Sequence, residues 1–233
     1  MTSLSPQHTR LAVHDRQVPL SWWLPAPSTD PCPLVLVGHG GSGHKTSSLV
    51  QDIVQRMVPA GIAVAAIDGP VHGERRQVFA DGPVVRDEFR ELWSRGGAVD
   101  AMVEDWRAAV SHLCQFAAID QQRIAWYGIS MGTAYGLPVV AAEPRIKSAV
   151  LGMWGTCRTP NERLIADARR IQVPVLFQVK REDAVFTPEG QQDLFEKIAS
   201  PRKEYVAYDG GHVDPSGQQL DDIAHFLQAH LRA

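Results

Sequence analysis

No stretch of this sequence approaches the roughly 18 consecutive apolar residues that a membrane-crossing helix needs. Positive charge is not in excess either: 23 Lys and Arg stand against 26 Asp and Glu, a formal net charge of −3. The electrostatic footprint of a nucleic-acid binder is therefore missing. Cysteine is scarce. Cys32, Cys114 and Cys157 are odd in number, far apart and outside any Cys-x-x-Cys pair. That argues against a disulfide framework and fits a reducing compartment. There is no His-Glu-x-x-His and no Cys/His cluster at ligand spacing, so no metal site is expected. The first ten residues lack a basic patch followed by an apolar run. A secretory leader is accordingly not expected, and a cytoplasmic setting is.

What is present suits one large α/β domain over residues 1–233. The chain is 44% hydrophobic and 21% charged, ordinary values for a globular protein of a length that buries a sizeable core. Residues 9–14 and 17–24 read as two short strands around a turn at Asp15 and Arg16. The proline-rich stretch from Pro25 to Pro33 is too poor in donors for a helix. Leu34 to Gly38 is a continuous apolar run, the mark of a strand covered on both faces. Strand and helix then alternate. Apolar stripes predict helices at about 47–60, 99–117, 161–171, 189–199 and 216–231, with another starting near 131. Strands are expected at 62–67, 124–127, 148–151, 175–179 and 204–208. Eight strands with helices between them argue a doubly wound, mostly parallel sheet covered on both faces.

Residues 69–98 break the rhythm. They are rich in Arg, Asp and Glu, with Phe79, Phe89, Leu92 and Trp93 scattered among them. A connection of this length is expected to serve as a lid or pocket wall, with a short helix near 84–94.

Gly128-Ile-Ser-Met-Gly132 lies where a buried strand ends and a helix begins. A nucleophilic serine needs such a turn to stand clear of the sheet, with glycines letting two backbones pass closely. The turn aims the amide of Met131 at a developing oxyanion, and the helix N-terminus adds partial positive charge there. Serine also needs a base. Gly210-Gly-His212 follows the last strand on a glycine-rich loop, which makes His212 the candidate. His39 and His72, in loops after earlier strands, are rivals. An acid must hold the imidazole in one tautomer. Asp183, just past the seventh strand, is the candidate, with Glu182 its neighbour and alternative. The chain order Ser130, Asp183, His212 is that of a triad carried on successive strands, along the edge where open α/β sheets bind ligands. The second oxyanion donor is expected from the loop Gly38-His-Gly-Gly41, at Gly41 or else Gly40. This loop does not meet the Gly-x-x-x-x-Gly-Lys-[Ser/Thr] pattern of nucleotide binding. Trp154, Trp93 and Phe79 are candidates for the substrate pocket and would suit apolar acyl or aryl groups.

At these residues the sequence resembles the α/β-hydrolase superfamily over nearly its whole length. The His-Gly-Gly, Asp68-Gly-Pro-Val-His-Gly-Glu74 and Gly-Gly-His stations look like small esterases related to dienelactone hydrolases. The resemblance implies an α/β-hydrolase fold with strand order 1-2-4-3-5-6-7-8 and the second strand antiparallel. It also implies hydrolysis of a small-molecule carboxylic ester through an acyl-enzyme, with no cofactor. Dienelactone hydrolases carry cysteine at the elbow where this chain has Ser130, which favours ordinary esters over lactones. An amidase, thioesterase or C–C hydrolase would use the same triad, and a binding protein can be built on the same fold. Many small hydrolases form homodimers, but no segment of the sequence identifies such an interface.

Overall fold

The computed structural model describes residues 4–232. Its centre is one eight-stranded sheet: β1 (Gln7–Val13), β2 (Arg16–Trp23), β3 (Cys32–Gly38), β4 (Ala63–Ile67), β5 (Ile119–Gly128), β6 (Ile146–Gly152), β7 (Val175–Lys180) and β8 (Lys203–Tyr208). The spatial order is 1-2-4-3-5-6-7-8. β2 pairs antiparallel with both β1 and β4, and the pairs from β4 through β8 are parallel. This is the α/β-hydrolase arrangement that the motifs imply.

Burial explains why the central strands read as unbroken apolar runs. In β3, Leu34 and Leu36 face one core while Val35 and Val37 face the other, because successive side chains of a strand point to opposite faces. Helices α1 (Ser48–Met57) and α7 (Gln218–Arg232) cover one face through Ile53, Val54, Ile223 and Leu227. The other face is covered by α3 (Val99–Leu113), α4 (Met131–Ala142), α5 (Glu162–Ala168) and α6 (Pro188–Lys197). α4 is buried on all sides from Met131 to Val140, so it shows none of the one-sided stripe of a surface helix.

Several element boundaries shift by a few residues from the sequence expectation. β5 starts at Ile119 rather than 124, because Ile119 pairs with Cys32 ahead of a register shift. That early pairing also draws Cys32 into β3 and shortens the proline-rich connection. The segment 69–98 carries the short helix expected near 84–94, longer by two residues at its start. A 3₁₀ turn at Gly73–Arg75 precedes α2 (Gly82–Ser94), 13 residues long. Val85, Phe89 and Trp93 recur every four residues on its inner face and are buried. Pro83 suits the first turn, where the lost N–H would have had no partner.

All three cysteines are free. Among the described residues no helix is long and apolar enough to cross a membrane, and no cluster of three or more His, Cys, Asp or Glu side chains has the geometry to hold a metal ion.

Candidate active site

Ser130 stands between β5 and α4 with φ 55° and ψ −123°. Side chains rarely occupy this region, and such strain survives only where the surroundings enforce it. Three contacts enforce it. The Ser130 N–H donates to the Gly152 carbonyl at 2.9 Å. A Cβ on Gly128 would lie 2.7 Å from the Gly132 carbonyl oxygen, and one on Gly132 would lie 2.3 Å from that of Gly38. Both positions therefore require glycine, and the elbow packs directly on the end of β3. Thr133 adds a brace that the motif does not announce. Its hydroxyl lies 2.9 Å from the Gly128 carbonyl and 2.7 Å from that of Gly152, and it accepts the Gly152 N–H at 2.7 Å.

Ser130 Oγ lies 2.9 Å from His212 Nε2, and His212 Nδ1 lies 2.8 Å from Asp183 Oδ2. The structure thus brings together three residues separated by up to 82 positions in the chain. The Asp183 side chain is fully buried. Burial alone would push its pKa up. The hydrogen bond from His212, together with amides from Phe186 (3.0 Å) and Val185 (2.8 Å) on Oδ1, outweighs that and leaves the carboxyl below its ordinary value. Glu182 is not in this chain of contacts; it takes the Gly210 N–H and supports the loop that presents His212. Asp209 pairs instead with Arg181 at 3.0 Å.

Among the described residues, no acceptor takes the amide protons of Gly40, Gly41 or Met131. Gly40, Gly41 and Ser130 line a cavity of about 970 Å³ together with His212. Met131 begins α4, so its N–H is one of the free donors at a helix start. The rival histidines, His39 and His72, are buried and hydrogen-bonded to backbone of the neighbouring loops.

Trp93 and Trp154 line the cavity, their rings 5.0 Å apart and edge to face. Phe186, which the sequence did not single out, packs on Trp154 at 4.6 Å and on His212 at 5.4 Å. Its proximity comes from the turn that also supplies an amide to Asp183. Phe79 corrects the expectation. It is not a lining residue; it is 60% exposed and packs edge-on against His44. The reason is its place in the link before α2, where no helical face turns it inward.

The sequence profile of the dienelactone hydrolase family matches residues 23–211. No curated protein matches the chain in sequence. Among solved structures, a PEG-bound cold-adapted esterase from an Arctic intertidal metagenomic library is 31% identical with a TM-score of 0.87, covering 99% of this chain and 96% of its own. The native structure of an esterase so described is 29% identical with a TM-score of 0.81, covering 97% and 93%. A 2,6-dihydroxy-pseudo-oxynicotine hydrolase shares the fold at 21% identity and a TM-score of 0.75, covering 98% of this chain and 69% of its own. With the profile spanning most of the sheet and reaching from the end of β2 to the loop before His212, the chain belongs to the dienelactone hydrolase family.

Proposed function

We propose that this protein is a serine esterase that cleaves small carboxylic esters through an acyl-enzyme on Ser130. The observation that carries the reading is the continuous path from Ser130 Oγ through the His212 ring to Asp183, with links of 2.9 and 2.8 Å.

His212 Nε2 takes the Ser130 proton as Oγ attacks the acyl carbon. Asp183 accepts the Nδ1–H, fixes the tautomer and stabilises the imidazolium that forms. The carbonyl oxygen becomes an oxyanion facing the free amides of Met131 and Gly41. Preorganised donors of this kind each contribute on the order of 3 kcal/mol to transition-state stabilisation. The imidazolium then protonates the departing alcohol. Water enters, loses a proton to the same nitrogen and attacks the acyl carbon; the imidazolium then returns that proton to the departing Ser130 Oγ as the carboxylic acid is released. No step calls on a cofactor. Similarity to cold-adapted esterases of known structure supports the same reaction class. The aromatic wall of Trp93, Trp154 and Phe186 favours apolar acyl or aryl groups.

A fluorophosphonate probe and short p-nitrophenyl esters test this directly. Wild-type protein is expected to be labelled and to turn over, and Ser130→Ala to do neither. Turnover that survives in Ser130→Ala would assign the nucleophile elsewhere.

A further inference from the structure

Gly40 and Gly41 belong to no helix or strand and carry no side chains to hold them. A loop of this kind is conformationally free on its own, yet an oxyanion donor must be held in place before the reaction. We infer that His39 and His72 are positioning residues which clamp the two successive peptide planes of this loop and so set the direction of the Gly41 N–H. The inference rests on the esterase reading, in which that N–H meets the oxyanion.

The hydrogen bonds determine both rings without ambiguity. His39 Nε2 lies 2.9 Å from the Gly69 amide, which can only donate. Nε2 is therefore the bare nitrogen, and Nδ1 carries the proton that goes to the Gly40 carbonyl at 2.8 Å. The Gly43 N–H reaches the same carbonyl at 3.0 Å. In a planar trans peptide the C=O and the following N–H point in opposite directions. Fixing the Gly40 oxygen from two sides therefore fixes the Gly41 N–H. His72 acts one plane further on. Its Nε2 lies 3.1 Å from the Gly41 carbonyl, an acceptor only, so His72 is the opposite tautomer. Its Nδ1 is buried without a partner.

The two rings form one unit. They meet edge to face at 4.9 Å, and Gly69 ties the two residues together, since its N–H serves the His39 ring while its carbonyl accepts the backbone N–H of His72 at 3.1 Å. Beneath them, buried Asp68 accepts the amides of Lys45 and Glu74 and pairs with Lys45 Nζ at 3.1 Å. A Cβ on Gly73 would strike its carboxylate. The station from Asp68 to Glu74 thus serves as the backing plate of the oxyanion loop. Burial pushes the pKa of His39 down to about 4 and that of His72 to about 3. Both rings therefore stay neutral at ordinary pH, as the hydrogen bonds require.

The test compares wild type, His72→Phe and His72→Gln on a short p-nitrophenyl ester. Phenylalanine keeps the ring and removes the donor; glutamine places an N–H at a similar reach. His72→Phe is expected to lose about 10- to 100-fold in kcat with little change in KM, less than the 10²–10³ typical of a donor removed outright. Its affinity for a boronic acid transition-state analogue should fall in parallel, and His72→Gln should recover most of both. A folded His72→Phe enzyme that is labelled at Ser130 and turns over at the wild-type rate overturns the inference alone. A wild type that is neither labelled nor active removes the esterase reading and the inference with it. Nitrogen-15 NMR of the wild-type rings decides the matter if His72→Phe does not fold: neutral Nδ1–H for His39 and neutral Nε2–H for His72 at pH 5.5 sustain it, and any other pair of states overturns it.

Discussion

Asp183 and Glu182 are adjacent acids with different fates, and backbone geometry separates them. Asp183 is turned inward, where two amides hold Oδ1 and leave Oδ2 for the His212 ring. Glu182 is exposed and serves the neighbouring loop. In Asp183→Asn an amide N–H facing Nδ1 would favour the opposite tautomer. His212 Nε2 would then carry a proton and could not take another from Ser130. Steady-state kinetics should show kcat reduced by about 10⁴-fold with stability nearly kept. Glu182→Gln should remain within a few-fold of wild type. Equal losses in the two variants would mean that the acid has been misassigned. The neighbourhood of Ser130 follows the same logic. Gly128 and Gly132 are readable from the motif, whereas the brace from Thr133 depends on the end of β6 lying 19 residues away.

At the scale of elements, α2 falls where a short helix near 84–94 is expected and begins two residues earlier, at Gly82. Its stripe of Val85, Phe89 and Trp93 is sparse among charged residues, so the periodic signal is weak in the sequence. In the structure these three side chains dock the helix over the cavity. Trp93 contacts Trp154, Tyr135 and Phe89, and the Gly82 N–H at the helix start donates to the Ser42 carbonyl at 2.9 Å. The helix is thus fastened at one end to the loop that follows β3 and at the other to the aromatic wall. Truncating a buried Trp costs about 3–5 kcal/mol, and here the loss falls on one helix. Trp93→Ala should raise KM and expose residues 76–98 to limited proteolysis, while the far side of the sheet keeps its hydrogen-exchange protection. Unchanged proteolysis and unchanged KM would show that Trp93 only fills space.

For the whole molecule, the buried histidines couple stability to pH. His39 and His72 have folded-state pKa values of about 4 and about 3, against an ordinary value of about 6.5. On acidification the unfolded chain takes up protons first, so stability is full above about pH 6.5 and falls as pH drops towards 4. The slope is about 1.4 kcal/mol per pH unit for each histidine. Asp214, raised by burial and by the nearby Asp52 charge, acts in the opposite sense. Urea unfolding at pH 7.5, 6 and 5 should show a falling midpoint, and a shallower fall in His72→Phe. A midpoint flat across this range would show that the two rings are protonated in the fold as readily as in the open chain.

The sequence by itself determined the alternation of strands and helices, the elbow around Ser130 and the order of the three site residues. Each of these is local: an apolar period, a glycine where two backbones touch, a residue just past a strand end. Tertiary structure alone decided the rest. Whether Asp183 or Glu182 meets His212, why Phe79 stays outside the cavity while Phe186 lines it, and how His39 and His72 hold Gly40 and Gly41 all depend on contacts between chain segments far apart. Such contacts leave no period or spacing behind, because each is made only when the sheet has brought its loops to one edge.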